Sequence, residues 1–419
     1  MKLTKISKSL MSFFIKHKYI NNDKATVKTR NILFELYDEL MNAYYFLLTI
    51  KANARRTFHN IHTKKIATVS QIPKPKNFNS KSFPEEIMQH IDKTSLMEIS
   101  YTFSLFNRNI NFLFITEKEE SISLLNKYVD AMIMWLYMLN EYASQNCSKT
   151  FTVYLYFTGL EKHLPNTPIT ILDETNVNTA FTTTCPKDSE IVIFRREEWF
   201  KVFIHETFHN FALDFSDMNN GECHNHILSI FPVKSYVNLF ESYTEFWAET
   251  INVLFCSFYS LKNKENANDF IKVAEHLINF ERTHSIFQLV KTLDFMGLKY
   301  ADLYSIKEEC VILRNNLYKE KTNVLAYYII KTILLHNYQP FLLWCKTNNF
   351  SLLQFKKTIA NQKQFCLFIE KYYKTKNMTE SVKATEHFLQ TIQQYNKLNT
   401  TTNVNYLLKN MRMSICELN

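Results

Sequence analysis

The amino-acid sequence predicts an α+β protein with a small mixed sheet in its first half and a mostly helical C-terminal half. Segments rich in β-branched and aromatic residues recur between residues 99 and 195, as is typical of strands. From about residue 262 onward, apolar residues recur instead at the three- and four-residue spacing of amphipathic helices. A chain of 419 residues is long enough for two or three domains or for one lobed enzyme.

The N-terminal part of the chain alternates between helical and irregular patterns. Residues 28–58 carry apolar side chains at helical spacing and predict a helix. Residues 59–90 hold three prolines among lysines, asparagines and serines, which predicts a linker or a long surface loop. Residues 99–116 alternate apolar and polar side chains around an Asn-Arg-Asn turn and predict a hairpin, and a helix is expected at 120–146.

Short strands are expected next, followed by helices to the end of the chain. The predicted strands are 151–158, 168–172, 177–184 and 190–195. The amphipathic helical segments in the C-terminal half are 267–295, 300–318, 321–336, 350–374 and 379–397.

The strongest functional signal is the pentapeptide His205-Glu206-Thr207-Phe208-His209, an HExxH pattern within an apolar stretch. Positions i and i+4 share a helix face, so the two imidazoles can bind one ion while the glutamate reaches a water on that ion. The alternative interpretation is a pair of surface histidines at helical spacing. Because the flanking residues are apolar, we expect a buried helix, and a buried pair of histidines with a glutamate needs a neutralising cation such as zinc.

A third ligand is expected from a helix predicted at 236–256, in which Glu241, Glu245 and Glu249 form an i, i+4, i+8 ladder. Like charges at this spacing repel, so a ladder in a largely apolar helix needs a cation or hydrogen bonds. We assign Glu245 as the metal ligand and Glu249 as the carboxylate that orients a ligand histidine. Glu241 is the competing ligand, and a solvated acidic face is the alternative without a metal.

The connection between these two helices, residues 214–235, contains His224 and His226. Either imidazole could polarise a substrate or replace one of the ligands named above. Histidines in such a connection are more commonly only solvated.

These motifs resemble those of the gluzincin zinc metallopeptidases. HETFH followed by Thr244-Glu245-Phe246-Trp247-Ala248-Glu249 is most similar to the anthrax-lethal-factor-like zincins, whose glutamate helix reads E-F-F-A-E. The resemblance implies a zincin-like fold, in which an edge strand beside the HExxH helix can pair with an extended peptide. It also implies that Glu245 binds zinc and that an upstream tyrosine, Tyr236 or Tyr243, stabilises the transition state.

A second resemblance covers more of the chain. Residues 178–182 and 190–200, leading into HETFHNFALDFS, are similar to uncharacterised HExxH proteins of large nucleocytoplasmic DNA viruses. With the element pattern, we expect a zincin-like catalytic domain at 91–260. It would follow an N-terminal helical region and linker at 1–90 and precede a helical subdomain at 261–419.

The expected function is zinc-dependent hydrolysis of peptide bonds in a protein or peptide substrate. Zinc on His205, His209 and Glu245 would keep a fourth position open for water, and Glu206 would act as the general base. The alternative is a catalytically silent structural or virion-associated protein on the same scaffold.

Composition restricts the remaining function classes. The net charge of +9 is spread along the chain and does not indicate a specific nucleic-acid partner. The eight cysteines include no CxxC pair, so we expect free thiols without disulfides and an intracellular, reducing location, in the host cytoplasm or a virion if the protein is viral. The apolar runs are too short to predict a signal peptide or a transmembrane helix.

Overall fold

The computed structural model describes residues 1–53, 58–76, 82–398 and 402–419. Within them the chain is a mixed α+β protein with one six-stranded mixed sheet and a helical C-terminal half, as the sequence predicts. No helix of these residues is long and apolar enough to cross a membrane.

The strands are β1 (Asn60–Lys65), β2 (Met97–Leu105), β3 (Arg108–Thr116), β4 (Thr150–Phe157), β5 (Ala180–Phe181) and β6 (Asp188–Ile193). The α-helices are α1 (Lys5–Lys16), α2 (Val27–Asn53), α3 (Glu85–Thr94), α4 (Ile122–Asn140), α5 (Glu174–Val177), α6 (Trp199–Asn210), α7 (Gly221–Ile230), α8 (Leu239–Ser260), α9 (Ala267–Phe295), α10 (Glu308–Leu317), α11 (Lys331–His336), α12 (Tyr338–Asn348), α13 (Ile359–Tyr372), α14 (Lys376–Leu398) and α15 (Thr402–Lys409). Short 3₁₀ helices span Val69–Gln71 and Tyr300–Leu303, and a π-helix spans Leu325–Ile330.

The sheet has the strand order β1-β2-β3-β4-β6-β5. β1, β2 and β3 are antiparallel neighbours, whereas β3, β4 and β6 run parallel, and the two-residue β5 closes the far edge antiparallel to β6. β2 and β3 form the predicted hairpin, and its turn residues Phe106 and Asn107 have positive φ values of 52° and 57°. Because α6 follows β6 after a short connection, the HExxH helix starts beside the β5 edge of the sheet.

The structure differs from the sequence-based elements in four places. The predicted linker 59–90 contains the edge strand β1 and the start of helix α3, although residues 77–81 lie outside the described residues. The strand β1 was missed because most of its side chains are exposed, so its sequence does not alternate between apolar and polar residues. Segment 168–172 is irregular, and only Ala180–Phe181 of the strand predicted at 177–184 pairs with a neighbour. The predicted helix 28–58 is observed to Asn53, and residues 54–57 are outside the described part of the chain.

One large hydrophobic core runs from Leu10 to Leu418 and includes residues of all three predicted regions. A smaller core on the other face of the sheet contains Ile87 of α3 and Tyr156 of β4. The two ends of the chain pair through their backbones, since Lys2 and Asn419 exchange N–H···O hydrogen bonds of 2.8 Å in both directions. Residues 410–416 are buried, and Asn252 of α8 donates a hydrogen bond of 2.8 Å to the carbonyl of Cys416.

A disulfide joins Cys147 to Cys185, so the prediction that the cysteines form no disulfides is wrong for this pair. The pair is 38 residues apart, but each cysteine precedes by three residues the paired positions Thr150 of β4 and Asp188 of β6. The pairing of β4 with β6 brings the two cysteines together, and this proximity cannot be recognised from their spacing in the sequence. The other cysteines are free and buried: Cys223, Cys256, Cys310, Cys345, Cys366 and Cys416. The expectation of a reducing location rested partly on the absence of disulfides, and the Cys147–Cys185 disulfide removes that argument.

Candidate metal centre

The HExxH motif lies on α6, which is buried along its whole length. The helix ends at Asn210, and the chain reverses at Ala212, whose φ of 56° is left-handed, where glycine is usual. The N–H of Leu213 donates to the carbonyl of Phe208 at 2.8 Å and closes this turn. The reversal directs Asp214 back toward the motif.

Three polar atoms converge on one point between α6 and α8. The Nε2 atoms of His205 and His209 are 3.1 Å apart, and Oε2 of Glu241 lies 3.1 Å from the first and 3.3 Å from the second. Ligands on a tetrahedral zinc with bonds of 2.0–2.1 Å would be roughly 3.3 Å apart. The buried group formed by His205, His209 and Glu241 could therefore hold a metal ion.

The opposite ring nitrogens of both histidines contact carboxylates. Nδ1 of His205 lies 2.7 Å from Oε2 of Glu245, and Nδ1 of His209 contacts Asp214. A carboxylate at Nδ1 favours a proton on that nitrogen, which leaves the Nε2 lone pair directed at the shared point. With both imidazoles neutral, three electron pairs face each other and repel. A shared proton in the metal-free protein, or a metal ion in its place, removes that repulsion.

The histidines and carboxylates around this point shift each other's pKa values. Burial opposes the charged form of His209, but Asp214 and Glu241 outweigh it and raise the pKa of this imidazole well above its usual value. Burial also disfavours the carboxylate of Glu241, yet His209 and His205 hold its pKa well below the usual range. The pocket therefore keeps Glu241 ionised, which is the state that binds a metal.

The third member of the group is Glu241, the competing ligand, and not Glu245, so the assignment of Glu245 as ligand stays a prediction that this geometry does not support. Glu245 lies behind His205, and its Oε1 accepts a hydrogen bond of 2.6 Å from Nζ of the buried Lys201. It occupies the position behind a histidine that was predicted for Glu249, one turn further along α8.

Glu249 faces Lys331 and contacts neither metal-site histidine, which corrects its predicted role. Its Oε1 accepts a hydrogen bond of 2.7 Å from Nζ of Lys331, which also donates to Ser285 at 3.0 Å. Both charged side chains are at most 1 % exposed. Each glutamate of the ladder thus has its own partner. Glu241 contacts the histidine pair, Glu245 contacts Lys201 and Glu249 contacts Lys331.

We expect Lys331→Met to lower the free energy of unfolding by about 3–5 kcal/mol, because it leaves a buried carboxylate unpaired. The double variant Glu249→Leu/Lys331→Met should recover most of that loss, since no charge then remains buried. Urea unfolding at pH 7 measures both values. Lys346→Met is the matched control, because its partner Glu35 is about half exposed and such pairs contribute about 0–1 kcal/mol. Equal losses in Lys331→Met and Lys346→Met would contradict the buried-pair interpretation.

Glu206 lies beside the convergent group, on the same helix. It lines a narrow crevice together with His205 and Tyr327. Burial raises the pKa of its carboxyl group above the usual value. Its carboxylate receives no hydrogen bond from the residues that the structure describes, so it can interact with a water or a substrate in the crevice.

The two tyrosines suggested by the resemblance do not reach the site. Tyr236 is 67 % exposed and stacks on the ring of His224, with 4.8 Å between the centroids. Tyr243 is fully buried and donates its hydroxyl to the carbonyl of Leu353 at 2.8 Å. The tyrosine at the site is Tyr327 of the π-helix, whose hydroxyl donates to Oε2 of Glu241 at 2.9 Å. Burial, followed by Glu241 and Glu206, raises its pKa well above the usual value, so it keeps its proton.

The histidines of the connecting segment are also engaged elsewhere. Both lie on α7, where Nδ1 of His224 accepts the N–H of Val237 at 3.1 Å and Nε2 of His226 is 3.0 Å from Glu370. Neither is a member of the convergent group.

Sequence reasoning missed two residues that build the site, Lys201 and Asp214. Each had a detectable signal, because it is a charged residue within an apolar stretch that must find a buried partner. Tyr327 lies in the stretch 322–328, which the sequence offers as a possible substrate contact, although aromatic residues at helical spacing are more often core residues.

No protein-family model, curated protein or solved structure matches the chain.

Proposed function

We propose that this protein is a zinc-dependent metallopeptidase with a zincin-like arrangement of its site. The observation that carries the proposal is the convergence of His205, His209 and Glu241 on one point, with the unengaged carboxylate of Glu206 beside it. Two nitrogens and one carboxylate oxygen are a donor set typical of catalytic zinc, which leaves a position for water.

The chain supplies the groups that hydrolysis needs. A bound zinc would polarise the substrate carbonyl and lower the pKa of a water toward ~7. Glu206 would accept a proton from the attacking water and would pass it to the leaving amine. Tyr327 donates its hydroxyl to Glu241, and it would stabilise negative charge on the carbonyl oxygen if that hydrogen bond were transferred to the substrate.

An extended peptide is the substrate class that suits this position. Thr179 and Ala180 line the crevice, and Ala180 belongs to β5, the strand at the end of the sheet order. An edge strand can bind the main chain of a peptide by hydrogen bonds with little dependence on its sequence.

Metal analysis combined with a peptide-library digest tests this proposal. We expect one zinc per chain after purification without chelators, and none in the His205→Ala/His209→Ala variant. Cleavage of library peptides should cease on chelation and return with zinc. His226→Ala is the matched control and should retain both zinc and cleavage. A well-folded protein that binds no zinc even after loading would refute the proposal.

The alternative of a catalytically silent protein has one observation in its favour. The crevice beside the site has a volume of only about 30 Å³, whereas ligand pockets commonly measure about 300–1,000 Å³. A peptide cannot enter it without a structural change. Hydrolysis therefore requires that the segments bordering the crevice move apart.

A further inference from the structure

The crevice at the candidate site admits water but excludes a peptide. Its volume of about 30 Å³ exceeds the ~10–15 Å³ that one water needs. Its walls come from α6, from residues 177–180 at the β5 edge and from the side chains of Glu245, Tyr327, Lys162 and Met413. The side chains of His205 and His209 are 7 % and 10 % exposed, so solvent reaches the metal position only narrowly.

Two segments meet beside this crevice. Residues 318–324, here called the strap, connect α10 to the π-helix, and residues 172–178, which include the short helix α5, lead into β5. Leu172 and Glu320 form an isolated parallel bridge, in which the N–H of Lys321 donates to the carbonyl of Leu172 at 2.9 Å. Further along, Oγ1 of Thr322 donates to Oδ1 of Asn178 at 3.0 Å, and Asn178 itself lines the crevice.

The strap also holds the candidate metal ligand. Asn323 donates from Nδ2 to Oε1 of Glu241 at 3.5 Å, and its Oδ1 accepts a hydrogen bond of 3.0 Å from Asn238. Tyr327, just beyond the strap, donates to the other oxygen of the same carboxylate. Movement of the strap therefore changes the surroundings of both Glu241 oxygens.

The construction of the strap is suited to local opening. It has no helix or strand of its own before Val324, and Lys319 and Lys321 are exposed. It is anchored at Glu320, whose carboxylate accepts hydrogen bonds from Leu325 N at 3.0 Å and from the Tyr318 hydroxyl at 3.1 Å. The π-helix that follows is a rare element that often marks functional sites, and a change from i→i+5 to i→i+4 bonding would shift its register by one residue. Among the described residues, most bonds from the strap to other segments are made by side chains, and only the Lys321–Leu172 bond is a backbone pair. A segment without helix or sheet bonding of its own opens at lower free-energy cost than the core.

We propose that the strap is an autoinhibitory cover, which keeps the site latent while it is bonded to residues 172–178 and admits an extended peptide when that contact opens. This inference rests on the proposed peptidase function for its substrate. The opening itself is a property of the fold and can be measured without any substrate.

Two variants with opposite expected effects on strap opening test the proposal in the zinc-loaded, full-length protein. Thr322→Val removes the bond to Asn178 without changing side-chain size, and Asn178→Cys/Thr322→Cys allows the contact to be locked by oxidation. We measure amide hydrogen exchange of residues 172–178 and 318–324, and the rate at which a chelator removes zinc. Loss of one hydrogen bond should accelerate both by roughly 2- to 12-fold, and the lock should slow both until it is reduced. Thr347→Val, on the exposed face of α12, is the matched control and should change neither rate.

The possible outcomes distinguish a failure of the strap proposal from a failure of the proposed peptidase function. Locked and reduced proteins with the same exchange and the same zinc-removal rate would overturn the proposal, as would strap exchange as slow as that of α8. If the lock slows both rates but no form of the protein cleaves peptides, the cover is supported and the peptidase function fails. If peptides are cleaved equally by locked and reduced protein, the peptidase function is supported and the cover is refuted.

Discussion

Replacing Glu206 by glutamine is expected to reduce peptide hydrolysis by at least about 10²–10⁴-fold while zinc binding persists. The amide has the shape of the carboxylate but cannot accept a proton, and the same group would serve both the attack of water and the departure of the amine. Because Glu206 is not a member of the convergent group, its replacement leaves His205, His209 and Glu241 in place. Turnover of a cleaved library peptide and the zinc content of the same sample measure the two effects separately.

The matched control for this variant is Glu222→Gln, an exposed glutamate in the first turn of α7. It should cleave at the wild-type rate. Cleavage that persists equally in Glu206→Gln and in a chelated sample would come from a contaminant or from another site. Loss of zinc together with activity in Glu206→Gln would mean that this carboxylate supports the metal and is not solely a base.

The elements that depend on local patterns could be predicted from the sequence. The helix carrying His205 and His209 is confirmed as α6, because four-residue spacing and an apolar context are local properties. The glutamate helix is confirmed as α8 for the same reason. The hairpin of β2 and β3 and the long helix α9 also follow from periodicity alone.

The register of the glutamate ladder could not be predicted in this way. Successive glutamates of the ladder are four residues, about 6 Å along the helix axis, apart and lie on the same face, so the pattern is unchanged by a shift of one glutamate. The contact between α6 and α8 decides which rung meets the histidines, and the ion pair between Lys201 and Glu245 fixes that contact. Similarity to a short motif identifies the residues of the motif, but it does not show how the two helices are offset along their axes.

Long-range contacts were equally invisible in the sequence. Tyr327 reaches Glu241 from the C-terminal half, and Thr322 reaches Asn178 across the crevice. The disulfide between Cys147 and Cys185 depends on the pairing of β4 with β6. Each of these contacts joins segments whose local sequences carry no information about one another.

The three rungs of the ladder are expected to respond differently when each glutamate is replaced by glutamine. Glu241→Gln should abolish stoichiometric zinc binding, because an uncharged amide replaces the only carboxylate in the convergent group. Glu245→Gln should weaken zinc binding by roughly 10- to 100-fold, as is typical when a residue that orients a ligand histidine is lost. Glu249→Gln should leave zinc affinity unchanged, because its partner Lys331 lies away from the histidines.

Competition titration against a chelator of known affinity measures all three variants on one scale, and circular dichroism verifies that each is folded. Glu249→Gln is the internal control, since it alters the same helix by the same chemical change. The opposite order, with zinc lost in Glu245→Gln and retained in Glu241→Gln, would restore the register implied by the family resemblance and reject the observed geometry. Equal losses in all three would indicate that the ladder acts through the stability of α8 and that none of its rungs binds the metal directly.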